Sequence, residues 1–227
     1  MIRGVVFDLD HTLFDRYATL TAIAPYFCSY FDVSAGMTPE TFAPIWCQAD
    51  KELVHLGWGK LLEALTKQGV FRTPPMLEVY TAFLLGMFRR ISVPFPETKP
   101  MLKSLRKDGY KLGLITNGGG ETQRAKLHNL GLEDSFDQVV ISGEFGDHKP
   151  SAAPFLATAR WLGAEPGELL YVGDNPLNDV DASRNAGYEP VWVRTTGTWV
   201  FPHVEKPALQ IDHIRELPAL LETLRKR

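Results

Sequence analysis

Gly4-Val5-Val6-Phe7-Asp8-Leu9-Asp10-His11-Thr12-Leu13 is a short apolar run that stops at two acids. A run without polar interruption reads as a strand buried on both faces of a parallel sheet. Side chains alternate along an extended strand, so Asp8 and Asp10 fall on the same side. Two carboxylates at the mouth of a sheet repel each other and need a cation or a shared proton. Taken alone, the run is as well explained by two solvated loop acids.

Further along the chain, comparable apolar runs recur at Lys111–Thr116, Gln138–Ser142, Leu169–Gly173 and Pro190–Arg194. Helical patterns separate them at Glu97–Lys107, Glu121–Asn129, Ala152–Leu162 and Asn178–Ala186, and Glu216–Arg227 reads as a closing helix with its basic residues at the C-terminal end. Strand alternating with helix predicts an α/β fold with right-handed crossovers and a doubly wound parallel sheet. Ligands of such sheets bind beyond the carboxyl ends of the strands.

Between Asp15 and Ser92 no strand pattern is found, only helical pattern. Thr38 before Pro39 and Glu40 reads as an N-cap with Pro at the first helical position, and Thr73 before Pro74 repeats the device. Gly69 reads as a stop after Leu61–Gln68. We therefore expect a four-helix insert over residues 15–92, with residues 1–14 and 93–227 forming the α/β core. Pro94, Pro96 and Pro100 mark the return to that core.

The 227 residues suit one domain with an insert, and 44% hydrophobic with 22% charged residues is an ordinary globular balance. A formal net charge of -3 gives no general electrostatic reason to hold a nucleic acid polymer or an anionic membrane. No apolar run approaches the roughly 20 residues needed to span a bilayer. The N-terminus has no signal-peptide core, so a cytoplasmic location is expected. The two cysteines, Cys28 and Cys47, read as free buried thiols rather than a disulfide framework.

Chemistry-bearing residues follow the later strands too. Thr116-Asn117-Gly118-Gly119-Gly120 offers a hydroxyl, an amide and backbone N–H groups just before a helix, which makes an anion cradle or simply a Gly-rich turn. Lys149 sits in the turn Gly146-Asp147-His148-Lys149-Pro150, where a lone lysine is usually solvated. In Gly173-Asp174-Asn175-Pro176-Leu177-Asn178-Asp179 a second acid follows the first after five residues, and Asn178 or Asp179 suits a helix N-cap.

All four segments, in this order and each at a strand end, resemble the haloacid dehalogenase superfamily, in the branch with a helical cap inserted after the first strand. The resemblance spans the whole chain. It implies sheet order 5-4-1-2-3, with Asp8 on the central strand. It implies a magnesium-dependent phosphatase acting on a small phosphate monoester through an aspartyl phosphate. By resemblance, Asp8 is the nucleophile. Asp10 is the general acid and then base, and it lends its backbone carbonyl to Mg2+. Asp174 is the remaining direct metal ligand, and Asp179 is an outer ligand or a partner of Lys149. Thr116, the Asn117 backbone and Lys149 bind phosphate, and Thr12 braces the first loop. Asp8, Asp174 and Asp179 balance magnesium and Lys149, so an ionised Asp10 would leave the site negative. From this we expect Asp10 to be protonated when substrate binds.

Rival reactions separate by residue. A dehalogenase of this superfamily usually lacks the second acid, so Asp10 argues against one. A phosphonatase needs a cap lysine, for which Lys51, Lys60 and Lys67 are the candidates. A phosphomutase uses the same core residues but typically has Gly where His11 stands. A phosphate-binding module without turnover is the non-enzymatic alternative. Specificity is expected in the cap and beside it, with His11, Arg16 and Trp58 as candidates. Arg16 could meet a second anionic group or lie on the surface, and Trp46, His55 and Trp58 could face substrate or pack the cap core. A nucleotide, flavin mononucleotide or sugar phosphate fits under a cap of this size. Hinges are expected near Phe14–Tyr17 and Ser92–Pro96. Monomer and homodimer stay equally open.

Overall fold

The computed structural model describes residues 1–195 and 199–226. Strand β1 (Gly4–Phe7) leads into α1 (Arg16–Tyr30), α2 (Pro39–Leu53), α3 (Trp58–Lys67) and α4 (Leu77–Phe88). The α/β alternation follows: α5 (Thr98–Lys107), β2 (Lys111–Thr116), α6 (Gly120–Leu130), β3 (Gln138–Ile141), α7 (Ser142–Phe145), α8 (Ala153–Leu162) and β4 (Leu169–Gly173). A π-helical turn over Pro176–Asp181, α9 (Ala182–Asn185), β5 (Glu189–Val193), β6 (Leu209–Ile211) and α10 (Leu217–Arg225) complete it. Arg227, the predicted end of the closing helix, lies outside the described residues. The chain divides into two compact units, Met1–Asp15 with Pro94–Arg227, and Arg16–Val93.

In the first unit every strand pairing is parallel and the order is β3-β2-β1-β4-β5-β6. The expected order 5-4-1-2-3 is present, extended by β6 beside β5. The three residues of β6 are too few for a periodic signal, which is why the sequence pattern misses this edge strand. Alternation along β1 sends Val5 and Phe7 to one face, against α5, α6 and α10, and Val6 to the other, against α8 and α9. Both faces are therefore covered, and a strand with two covered faces must be apolar throughout.

The second unit has its own core. Phe27 on α1 stands at its centre, with ring centroids 4.2 Å from Phe42, 5.0 Å from Trp46 and 4.7 Å from Phe31. Thr38 caps α2 as its sequence predicts: its hydroxyl accepts from Thr41 N–H at 3.3 Å, and Thr41 Oγ1 accepts from Thr38 N–H at 2.9 Å. Gly69, with φ at 72°, ends α3. Thr73 does not start a helix, because its hydroxyl instead donates to Asp32 at 3.0 Å and α4 begins only at Leu77. Cys28 and Cys47 are half-buried thiols outside any disulfide. Among the described residues no helix is long and apolar enough to cross a membrane.

Candidate active site

The ends of β1, β2 and β4 and the turn before α8 bring the predicted polar residues together. Asp8 continues β1, its N–H donating to Val172 C=O on β4 at 2.9 Å. Lys149, buried at 3% exposure, donates from Nζ to Asp8 Oδ1 at 2.7 Å, to Asp179 Oδ1 at 2.7 Å and to the Tyr171 hydroxyl at 2.9 Å. All three ammonium protons are thus placed. Lys149, which its turn alone would place in solvent and which the family resemblance assigns to phosphate, is the centre of the cluster.

Two devices hold Lys149 there. The Asn117 amide donates to Lys149 C=O at 2.9 Å and accepts from Lys149 N–H at 3.0 Å, so its side chain grips the lysine backbone. Tyr171 on β4 donates its hydroxyl to Ile115 C=O at 3.1 Å. Asp179 reaches the cluster because position 173 is glycine: a Cβ there would lie 2.5 Å from Asp179 Cβ, Cγ and Oδ2. Asn175, rather than Asn178 or Asp179, caps the turn that carries Asp179, accepting from the N–H groups of Leu177 and Asn178 at 3.0 and 2.9 Å. Asn175 N–H in turn donates to Asp179 Oδ2 at 2.9 Å. Trp192 on β5 donates its indole N–H to Asp174 C=O at 2.9 Å.

One carboxylate oxygen from each of Asp8, Asp174 and Asp179 can be chosen so that all three lie within 4.8 Å of one another. Burial raises the Asp8 carboxyl to about 7; Lys149 opposes the rise, and Asp179 and Asp10 add to it. Burial, then Asp179 and Asp8, pushes Asp174 well above the ordinary carboxylate range. Burial works against the Lys149 ammonium, but Asp179 and Asp8 outweigh it and hold Lys149 firmly charged. One lysine does not compensate three acids, and the hard oxygen donors are the set a small divalent cation takes. The fit to magnesium is good.

Asp10 turns to other partners. Lys126 Nζ lies 2.8 Å from both of its carboxylate oxygens, and Gln123 Nε2 donates to Oδ2 at 3.2 Å. Gln123 also donates to Thr116 Oγ1. Lys126 supplies a charge that the sequence count lacked, so the free site is neutral with Asp10 ionised, and the argument for a proton on Asp10 now rests on the negative charge that the phosphate dianion brings. Sequence reasoning missed Lys126, Gln123 and Tyr171. A signal existed for the first two, which share the helix stripe of Leu127 and Leu130 and so put polar groups on a buried face.

The remaining candidates fall as follows. His11 is buried with φ at 61°, a left-handed position that glycine adopts more readily. Thr12 is fully buried, but its hydroxyl meets no hydrogen-bond partner among the described residues. The loop is held instead by Leu13 N–H on Leu9 C=O at 3.0 Å. Arg16 is not on the surface: it forms a two-pronged pair with Asp50 at 3.0 and 2.9 Å, its guanidinium 4.8 Å from the Phe88 ring centroid. Its charge is matched inside the insert, which weakens its candidacy as an anion reader. Trp46 packs the insert core, and half-buried Trp58 stacks on Phe88 at 6.5 Å. Partial burial lowers the pKa of His55. Lys60 and Lys67 pair with Glu63 at the surface of α3, at 3.0 and 2.7 Å.

The family model described as haloacid dehalogenase-like hydrolase matches residues 5–193. N-acylneuraminate-9-phosphatase of Homo sapiens is 30% identical over 98% of this chain and 95% of its own length. Glyceraldehyde 3-phosphate phosphatase of Methanothermobacter thermautotrophicus is 31% identical over 99% of this chain and 100% of its own. Among solved structures, that of a HAD phosphatase from Thermococcus onnurineus is similar at a TM-score of 0.65 and 25% identity, covering 97% of this chain and 98% of the other.

Proposed function

We propose, from the premise that this chain belongs to the haloacid dehalogenase-like hydrolases, that it is a magnesium-dependent phosphatase of small phosphate monoesters working through an aspartyl phosphate on Asp8. The observation that carries this reading is Lys149 joined to Asp8 and Asp179 at 2.7 Å each, within the carboxylate cluster that Asp174 completes. That arrangement orients a nucleophile, offers a cation site and places a fixed positive charge beside an incoming dianion.

Asp8, Asp174 and the Asp10 backbone carbonyl are the groups we assign to hold magnesium, with Asp179 beside them. When bound, the metal offsets phosphate charge and polarises the phosphoryl oxygens. Lys149 takes Asp8 Oδ1, and we assign attack on phosphorus to Oδ2. The Oδ2–P bond forms, the bond from phosphorus to the ester oxygen breaks, and the Asp10 carboxyl gives its proton to the leaving alcohol. A water then attacks phosphorus, Asp10 takes its proton, the Oδ2–P bond breaks, and inorganic phosphate and Asp8 are regenerated. Thr116 and the backbone N–H groups after β2 hold the non-bridging oxygens.

The insert is assigned the role of a cap that selects substrate. Phosphatases named for N-acylneuraminate 9-phosphate and glyceraldehyde 3-phosphate as relatives favour a sugar phosphate over a nucleotide or flavin mononucleotide. Phosphate release from p-nitrophenyl phosphate with and without magnesium, followed by a panel of phosphorylated metabolites, tests the reading. Metal-dependent release that vanishes in Asp8→Asn supports it. No metal-dependent release across the panel rejects it.

A further inference from the structure

Helix α6 directs Gln123 and Lys126, one turn apart, onto the stripe it buries with Leu127 and Leu130. A buried lysine is costly unless it is paired, and the pairing here is specific. Lys126 Nζ meets both Asp10 oxygens at 2.8 Å, which fixes the place and the tilt of the carboxylate. Gln123 bridges Asp10 Oδ2 and Thr116 Oγ1, so Asp10 is also tied to the residue assigned to phosphate. Asp10 stands two residues from Asp8, yet it is not part of the cluster of Asp8, Asp174 and Asp179.

We infer that Lys126 is a positioning residue for Asp10: with Gln123 it holds the Asp10 carboxyl on the α6 side of the site, off the carboxylate cluster. The metal then meets one set of acids, while proton transfer is kept for another in a fixed place. Without the ammonium, Asp10 is a two-torsion side chain next to a hard cation, and its carboxylate competes to become an additional oxygen ligand. Loss of Lys126 therefore slows turnover and lowers the magnesium concentration needed for half-saturation. A merely structural lysine would weaken both turnover and metal binding. The inference rests on the reading of Asp10 as the proton carrier.

The experiment is a double-mutant cycle of K126M, D10N and D10N/K126M, with K126R as the conservative variant, and with magnesium binding to each protein measured by calorimetry as well as turnover. K126M is expected to lose about ten- to a hundred-fold in kcat, a share of the 10²–10⁴ that positioned proton transfer supplies. KM should stay within about threefold, because substrate binding does not use Lys126. K126R recovers most of the loss, and D10N/K126M is no slower than D10N, since the lysine acts only through the acid. Half-saturating magnesium falls in K126M but not in the double variant. Should K126M fail to fold, K126Q carries the same expectations. A K126M kcat within about twofold of wild type beside an inactive D10N overturns the inference, as do losses that multiply in the double variant. An active D10N would instead overturn the reading of Asp10 itself.

Discussion

Lys149 holds two carboxylates, and removing it exposes what it offsets. Lys149→Met leaves Asp8 and Asp179 facing each other across a buried space. Breaking a buried pair from one side costs about 3–5 kcal/mol. Metal-free K149M should therefore unfold at clearly lower denaturant than wild type, and magnesium should return more stability to the variant than to wild type. Equal gains on adding magnesium would mean that the lysine and the cation do not answer the same charges. Asp8 supports a second prediction. Its carboxyl is raised from the ordinary 3.8 to about 7, and Asp174 is raised as well. Between those values the native metal-free protein keeps a proton that the unfolded chain has lost. Its stability therefore falls as pH rises through that window. Metal must displace the same proton, so magnesium affinity should climb as pH rises through that window. Calorimetry in buffers of different ionisation enthalpy counts the protons released. An affinity flat from about pH 5 to about pH 8 would contradict the assignment of these carboxyls to the metal.

Elements differ in how plainly the sequence announces them. Strands β2 and β4 are read to the residue, because an apolar run ending in Thr116-Asn117 or Gly173-Asp174 has both a core signal and a stop. The cap at Thr38 is equally legible, being a local hydrogen-bond pattern of four residues. Strand β6 is not, since its place beside β5 is set by tertiary pairing of three residues. The start of α4 is not legible in the same way, because Thr73 is drawn away by Asp32, forty-one positions earlier. The site divides in the same way. Asp8, Lys149, Asp174 and Asp179 stand at strand ends and turns, where chemistry is visible in order. Lys126 and Tyr171 lie inside a helix and a strand, and their meaning depends on which face is buried. The insert carries the clearest energetic prediction at this scale. Phe27 is fully buried, with Phe42, Trp46 and Phe31 around it. Phe27→Ala should cost about 3–5 kcal/mol of insert stability, through lost burial and the cavity left behind. Tryptophan fluorescence of Trp46 during denaturation reads it. A loss under about 1 kcal/mol would mean that the insert is not organised around this ring.

The whole molecule changes unit twice, at Asp15–Arg16 and Val93–Pro94. Both crossings are anchored close by. On the core side Phe14 bridges Pro94, and Thr98 Oγ1 donates to Leu13 C=O at 2.7 Å. On the insert side Val93 N–H donates to Thr19 Oγ1 at 2.9 Å. If the backbone changes angle at the crossings on binding, these anchors would confine the change to a few residues at each. The insert has its own aromatic core, so a change of unit position need not disturb α1–α4. If the insert closes over bound phosphate, the amides that report it are Phe14, Asp15, Arg16 and Tyr17 at the first crossing, and Ser92, Val93 and Phe95 at the second. Pro94 and Pro96 have no amide to exchange. These amides should exchange more slowly with magnesium and a beryllofluoride phosphate analogue than in the free protein, because local openings there become rarer. Amides in the middle of α1 and α2 should exchange at unchanged rates, since their protection comes from the insert core. Slowing spread evenly through the insert would mean general stabilisation by ligand instead of closure. Unchanged rates at both crossings would remove the hinge altogether and leave the insert as a fixed wall.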